Sequence, residues 1–373
     1  MENLYKTFLM TGLIWAAMSC SEKKSSELLI IPVDTSQDVV LSLSEIANEI
    51  EAIPLEMTDE SLISKVLKTI ICDDYIFVLS RSGVGDNILA FDRHGKFIRS
   101  IGALGQGPGE YTFLGDITAD RMNKRLYTVS SNHKLICFGF DGQLIKENSA
   151  YDFPLVHSLS YANNELLLIV EYPHEQDEIG KNNRAALYRL NDNLQITDTM
   201  DIRKIYVERG VIISYPLNDY ITSNKSDTYF YFPELTITHF LSKPETSLRD
   251  TLYRFENNQL IPHLKLSFKN PVIADGARTI QLLDIYRSSR FVFSAYKQNI
   301  TDEDDYFLCY DIRTGKGYNM KTGYNDDINH IGKAAIRPLD SNTEQFYYLH
   351  TPIEEDDVEE PNPTLYIGTL KPL

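Results

Sequence analysis

Residues 88–102 read ILAFDRHGKFIRSIG and residues 134–147 read KLICFGFDGQLIKE. Each is an apolar strand, a polar turn with one glycine, and a second strand; a tight hairpin needs that glycine because its turn demands positive φ. Ahead of each hairpin stands another apolar run, YIFVLS at 75–80 and RLYTVS at 125–130, so the pattern recurs after 50 residues. Working outward, ELLLIV (165–170) precedes ALYRLNDNLQIT (186–197), and DTYFYFPE (227–234) precedes DTLYRFENNQL (250–260). RFVFSAY (290–296) precedes DYFLCYDIRTGK (305–316), and QFYYLHT (345–351) precedes TLYIGTL (364–370). Six copies of a four-stranded unit, at a spacing of roughly 40–50 residues, predict an all-β fold: a six-bladed β-propeller of four-stranded antiparallel blades.

Counting strands predicts how the ring closes. The first unit has four, near 67–71, 75–80, 88–92 and 97–101, whereas the unit after Lys333 shows three. IEAIPLE (50–56) stands ahead of the first unit with no partner of its own and is expected to join the last blade. SLSEIANEI (42–50) offers one short helical stretch with a Ser cap.

Composition supports a large β core, with 43% hydrophobic residues, 23 Tyr and 17 Phe. The net charge of -17 argues against nucleic acid and anionic membrane surfaces as direct partners, since both would repel the chain. The opening MENLYKTFLMTGLIWAAMSC places Lys6 before an apolar run too short to stay as a membrane span, the pattern of a secretory signal. Ala17-Met18-Ser19-Cys20 resembles a bacterial lipobox, although Ala17 stands where Leu is usual and Met18 where a small residue is usual. Processing there leaves Cys20 lipid-bearing, and two or more acyl chains anchor stably. The expected domains are a signal peptide at 1–19, a tether at 20–37 and the propeller at 38–373. The expected address is the cell envelope, as an outer-membrane lipoprotein. SEKKSS after Cys20 lacks the acidic run associated with surface export, which favours the periplasmic side. Cys72, Cys137 and Cys309 are isolated in apolar stretches and read as buried small hydrophobes.

The run from IEAIPLE through YIFVLS, ILAFDRHGKFIRSIG, GQGPGEY and RLYTVS resembles the six-bladed β-propeller lipoproteins of Bacteroides and related gut bacteria. DTLYRFENNQLIPHLKLSF (250–268) and DYFLCYDIRTGK continue the resemblance, which covers about 38–370. The blade pattern is similar, more distantly, to that of NHL-repeat propellers. NDDINHIG (325–332) departs from it, where a more glycine-rich segment is expected. The resemblance implies fold and address rather than activity.

GALGQGPGEY (102–111) is the stretch that most invites a nucleotide reading. A phosphate cradle leads into a helix whose N-terminal amides meet the phosphate. Here Gly109 is followed by Glu110, Tyr111 and another strand. Gly105, Gly107, Pro108, Gly109, Glu110 and Tyr111 are therefore expected to form the joint between blades 1 and 2, with Glu110 accepting backbone hydrogen bonds.

Candidate site residues are fewer. The eight histidines show no metal-binding spacing, yet propeller loops converge from distant sequence, so His157, Asp284 and His330 are axial candidates. The aromatics between 206 and 232 read as inter-blade packing where they fall in strands, whereas Tyr215, in the loop-like VERGVIISYPLNDY (207–220), is a face candidate for stacking on a sugar or peptide. The acidic runs TDEDD (301–305) and IEEDDVEE (353–360) lack calcium-loop spacing and read as soluble hairpin tips. The expected function is binding of a glycan, peptide or envelope protein on one face, with the bilayer held through Cys20 and no cofactor. The alternative is a metal-dependent lactonase- or lyase-like enzyme with an axial divalent ion.

Overall fold

The computed structural model describes residues 28–82, 85–130, 134–206, 219–223, 227–232, 250–269, 273–274, 277–278, 280–298, 304–340, 344–352 and 361–372. The signal segment, Cys20, Tyr215, residues 301–303 and the run 353–360 lie outside the described residues.

Six antiparallel sheets stand around a central axis, one for each sequence unit. From the axis outward, blade 1 consists of Lys65–Ile71, Tyr75–Ser82, Gly85–Asp92 and Phe97–Ile101. Blade 2 consists of Leu114–Asp120, Arg125–Ser130, Leu135–Gly139 and Leu144–Asn148, and blade 3 of Leu155–Ala162, Glu165–Gln176, Lys181–Leu190 and Ile196–Tyr206. Blade 4 runs Ile221–Ser223, Thr228–Phe230, Thr251–Glu256 and Gln259–Lys269. In blade 5 the innermost strand is split into Gln281–Leu282 and Tyr286–Arg287, both paired to Phe291–Lys297, with Tyr306–Asp311 and Lys316–Lys321 beyond. Blade 6 runs Arg337–Asp340, Gln345–His350 and Thr364–Leu370.

Successive side chains of a strand point to opposite faces of its sheet. In blade 1, Ile76 and Val78 pack toward blade 6, while Phe77 and Leu79 pack toward blade 2. Because both faces of a blade are covered, its central strands read as unbroken apolar runs rather than alternating ones. Among the described residues six buried clusters result, each drawn from two neighbouring blades. Cys72, Cys137 and Cys309 are buried free thiols within them.

The ring closes as the strand count requires. Ala47–Pro54 pairs antiparallel with Thr364–Leu370 as the outermost strand of blade 6, matching Ile53 to Leu365 and Glu51 to Ile367. The helix before it is one turn, Leu43–Ile46, with the Glu45 carboxylate accepting the Ser42 N–H at 3.2 Å.

One part of the expected tether is not a tether. Leu29–Asp34, assigned to it from sequence, instead pairs in parallel with Gln259–Lys269 and forms a fifth strand on the outer edge of blade 4. Ile31 and Val33 are fully buried in the core between blades 4 and 5, while Ile30 and Pro32 face outward. The period-two pattern of LIIPVD was the available signal; Pro32 is tolerated because an edge strand need not offer every N–H to a ladder.

Deleting residues 38–57 removes the closing strand and exposes one face of blade 1 and one edge of blade 6. The expected outcome is loss of the single cooperative thermal transition followed by circular dichroism. A truncated chain that melts like the full chain would show that the ring does not depend on this strand.

Candidate functional site

The glycine-rich joint is the first place a ligand could be sought. After Ile101 the chain must cross from the rim of blade 1 back to the axis. Gly102 has φ of 70°, and a Cβ there would stand 2.6 Å from the Tyr111 ring. Tyr111 is fully buried and its hydroxyl donates to the Ile101 carbonyl at 3.0 Å. The Gly105 N–H donates to the Tyr111 carbonyl at 2.8 Å, and the Gly107 N–H to the Glu110 carboxylate at 2.8 Å. On the far side of Pro108, the Gly109 N–H donates to Glu147 at 2.8 Å, while Lys134 Nζ donates to the Gly107 carbonyl at 2.8 Å. Carboxylates of the protein thus occupy the amides of Gly107 and Gly109, which a phosphate would need.

The axis offers a better site. Where the innermost strands end, residues from Lys68–Ile71, Thr118–Met122, Ser160–Asn164 and Asp219–Ser223, with Tyr286 and Tyr347, enclose a cavity of about 330 Å³. Lys68 rises from the innermost strand of blade 1 and holds both oxygens of Asp116 in blade 2, at 2.9 and 3.2 Å. Its third bond is to Asp219, just ahead of blade 4, at 2.8 Å. Asp116 also accepts the Leu159 N–H of blade 3 at 2.7 Å. One ammonium and two carboxylates therefore join four consecutive blades at the axis. Burial opposes the charge on Lys68, but Asp116 and Asp219 outweigh it and raise its pKa above the ordinary lysine value. Asp219 has a half-exposed side chain (46%) and is the member of the network that meets solvent.

The cavity wall carries polar groups that the fold leaves unused. Thr69 and Ser160 are each about 5% exposed, and neither hydroxyl has a hydrogen-bond partner among the described residues. Buried polar groups are nearly always paired, so these two hydroxyls, on the innermost strands of blades 1 and 3, are exceptions beside the cavity. Tyr286 and Tyr347 stay protonated, because burial raises both phenols above their ordinary value, and so remain donors.

A second, smaller chamber of about 190 Å³ lies between blades 5 and 6 and shares Tyr286 and Pro338 with the first. The split in the innermost strand of blade 5 creates it. At the break, the Leu283 N–H donates to the Ala295 carbonyl at 2.8 Å, and the Asp284 carboxylate accepts the Ala295 N–H at 2.7 Å, taking a place that a backbone carbonyl would hold in an unbroken ladder. Ser294 Oγ donates to the Asp284 carbonyl at 2.6 Å. Burial pushes the Asp284 carboxyl up to about 7, against the opposing pull of the Ala295 N–H and of Arg337.

The axial candidates named from sequence are not gathered into one centre. His157 lies at the opposite end of its strand from the cavity, where Nε2 meets Glu171 at 2.6 Å and Arg203 meets the other oxygen of Glu171 at 2.7 Å. That buried group packs on Phe232, between blades 3 and 4. His330 is exposed in a turn with φ of 60°, and Asp284 lines the second chamber. Among the described residues no group of three or more His, Cys, Asp or Glu is placed to hold a metal ion. Lys68, Asp116 and Asp219 were missed. For two of them a signal was present: Lys68 in the middle of KVLKTII (65–71) and Asp116 in the middle of LGDITAD (114–120), charges inside innermost strands rather than at their ends.

Residues 28–367 match the family described as Domain of unknown function (DUF4934). The chain belongs to this family. The match begins at the edge strand of blade 4 and runs to the last strand of blade 6, so the family spans the whole ring. The chain is similar to the crystal structure of a Bacteroides fragilis NCTC 9343 protein assigned as exported, with a TM-score of 0.62 at 15% identity over 92% of this chain and 99% of that one. It is also similar to U3-55K, with a TM-score of 0.45 at 9% identity over 88% of this chain and 100% of that one. For the RRP9 WD40 repeats the TM-score is 0.44 at 8% identity, over 90% of this chain and 100% of that one. No match was found among curated protein sequences.

Lys68→Met leaves Asp116 buried without its cation and is expected to cost about 3–5 kcal/mol in urea unfolding; an unchanged midpoint would show that the axial network carries no stability. Asp284 gives a prediction of opposite sign. The folded state holds its proton to about pH 7, whereas the unfolded state loses it near the ordinary carboxylate value of 3.8. Ionisation therefore erodes stability as pH rises between those values. Asp284→Asn is expected to match the native melting temperature near pH 4 and to exceed it increasingly up to pH 7, with a constant gap above. A gap independent of pH would exclude this titration.

Proposed function

We propose that the protein is an exported, lipid-anchored propeller that binds a small polyhydroxylated ligand, of saccharide type, in the axial cavity. The observation that carries this reading is the pair of unpartnered buried hydroxyls, Thr69 Oγ1 and Ser160 Oγ, on the cavity wall. Around them stand neutral donors and acceptors, namely the phenols of Tyr286 and Tyr347 and the amides of Asn163 and Asn164. Lys68 is already paired with Asp116 and Asp219, so its ammonium is not a free cation, and the half-exposed Asp219 carboxylate adds an acceptor at the cavity. A volume of about 330 Å³ falls at the lower end of the range for small-molecule sites, about 300–1,000 Å³. The anchor is Cys20, and the likeness to a Bacteroides protein assigned as exported supports an envelope address. The metal-dependent enzyme alternative has no donor set among the described residues to carry it.

Calorimetric titration of the full chain with a panel of neutral mono- and disaccharides tests the reading. At least one is expected to bind, and Thr69→Val and Ser160→Ala are each expected to weaken it about two- to tenfold, the worth of one hydrogen bond. Binding that ignores both substitutions, or no binding across the panel, would overturn it. Cys20→Ala is expected to move the protein from the membrane fraction to the soluble one.

A further inference from the structure

The chamber between blades 5 and 6 contains a charge arrangement that the fold does not require. Asp284 and Arg337 both line it, and each feels the other's charge, yet among the described residues they form no ion pair. Asp284 uses Oδ1 for the Ala295 N–H, and its second oxygen has no bond among the described residues. Arg337 lines the chamber with an exposed side chain, and among the described residues its guanidinium meets the Tyr347 hydroxyl. Two opposite charges that line one small chamber without meeting leave room for a group that satisfies both.

The rest of the lining is largely apolar and includes four aromatic rings, Tyr286, Phe293, Phe307 and Tyr324; its other carboxylate, Asp305, is already paired with Lys297 at 3.0 Å. Phe293 and Phe307 both pack edge-on against Tyr324, with ring centroids 6.4 and 6.3 Å from it. At about 190 Å³ the chamber falls below the about 300–1,000 Å³ typical of drug-sized sites. A carboxyl group that ionises above about pH 7, a cation and a largely apolar wall in so small a space match a small zwitterion with a hydrocarbon side chain, bound best on the alkaline side of neutrality.

We infer that this chamber is a second binding site, specific for a free α-amino acid with an apolar side chain. The ammonium meets Asp284, the carboxylate meets Arg337, and the side chain lies against Phe293, Phe307 and Tyr324. A ligand with both charges supplies each protein group with the partner it lacks, whereas a ligand with one charge leaves the other group uncompensated. Blade 5 is built for this: an unbroken innermost strand would turn residue 284 into a ladder position, and the split instead turns its carboxylate toward the chamber. The inference is independent of the saccharide reading, which concerns a different cavity.

The test is calorimetric titration of the full chain with L-leucine, beside 3-methylbutylamine and 4-methylpentanoate, which keep the hydrocarbon and one charge each. L-leucine is expected to bind, and each single-charge analogue to bind at least about tenfold more weakly, as loss of one charge-assisted contact implies. Asp284→Asn and Arg337→Gln are each expected to weaken L-leucine at least about tenfold, while Thr69→Val leaves it unchanged. Absence of L-leucine binding would overturn the assignment, as would equal binding of either analogue. So would an Asp284→Asn chain with native near-ultraviolet dichroism and undiminished affinity. Should a variant fail to fold, the comparison of the three ligands on the native chain still decides.

Discussion

Each blade of this protein has two apolar faces, and that single constraint governs the rest of the structure. A sheet whose central strand sends Ile76 and Val78 one way and Phe77 and Leu79 the other cannot be satisfied by one neighbour. Only a ring gives every face a partner, and a ring has a seam. Here the seam lies within blade 6, where Ala47–Pro54 from one end of the chain completes three strands from the other. No blade is therefore an independent unit, and the fold is expected to form and melt as one body.

The ring also explains why chemistry collects at the axis. Around most of their surface the blades meet through hydrocarbon, but their inner edges converge where backbone polar groups are concentrated and little side-chain volume is available. The Lys68, Asp116 and Asp219 network meets that demand by linking four blades with charge, and the Asp116 bond to the Leu159 N–H extends it into the backbone. Buried ion pairs add little net stability over hydrocarbon, but breaking one partner is costly, so such a network fixes arrangement more than it adds cohesion.

How much of this was readable from residues depends on the range of the pattern. The blade repeat, the hairpin glycines and the odd strand IEAIPLE are local or countable, and they led directly to six blades and their closure. Leu29–Asp34 was not recognised, since a six-residue alternation beside a polar segment resembles a tether until its partner, more than 200 residues away, is known. The axial site was harder still. Lys68, Asp116 and Asp219 come from three blades and share no motif, so only the closed ring shows them as one group. Histidine counting pointed elsewhere because the rarity of a residue type says nothing about which end of a strand it occupies: His157 lies in a buried ion-paired group away from the cavity.

The edge strand of blade 4 has a mechanical consequence. Leu29–Asp34 lies parallel to Gln259–Lys269 over six matched residues, with Ile31 and Val33 set into the core. A pull on residue 28 along the strand loads its cross-strand bonds in shear, all together, and must also draw two side chains out of hydrocarbon. The same pull directed away from the blade would open the bonds one at a time, like a zipper. The direction from which the chain is held thus decides how much tension the ring withstands before its first strand is lost.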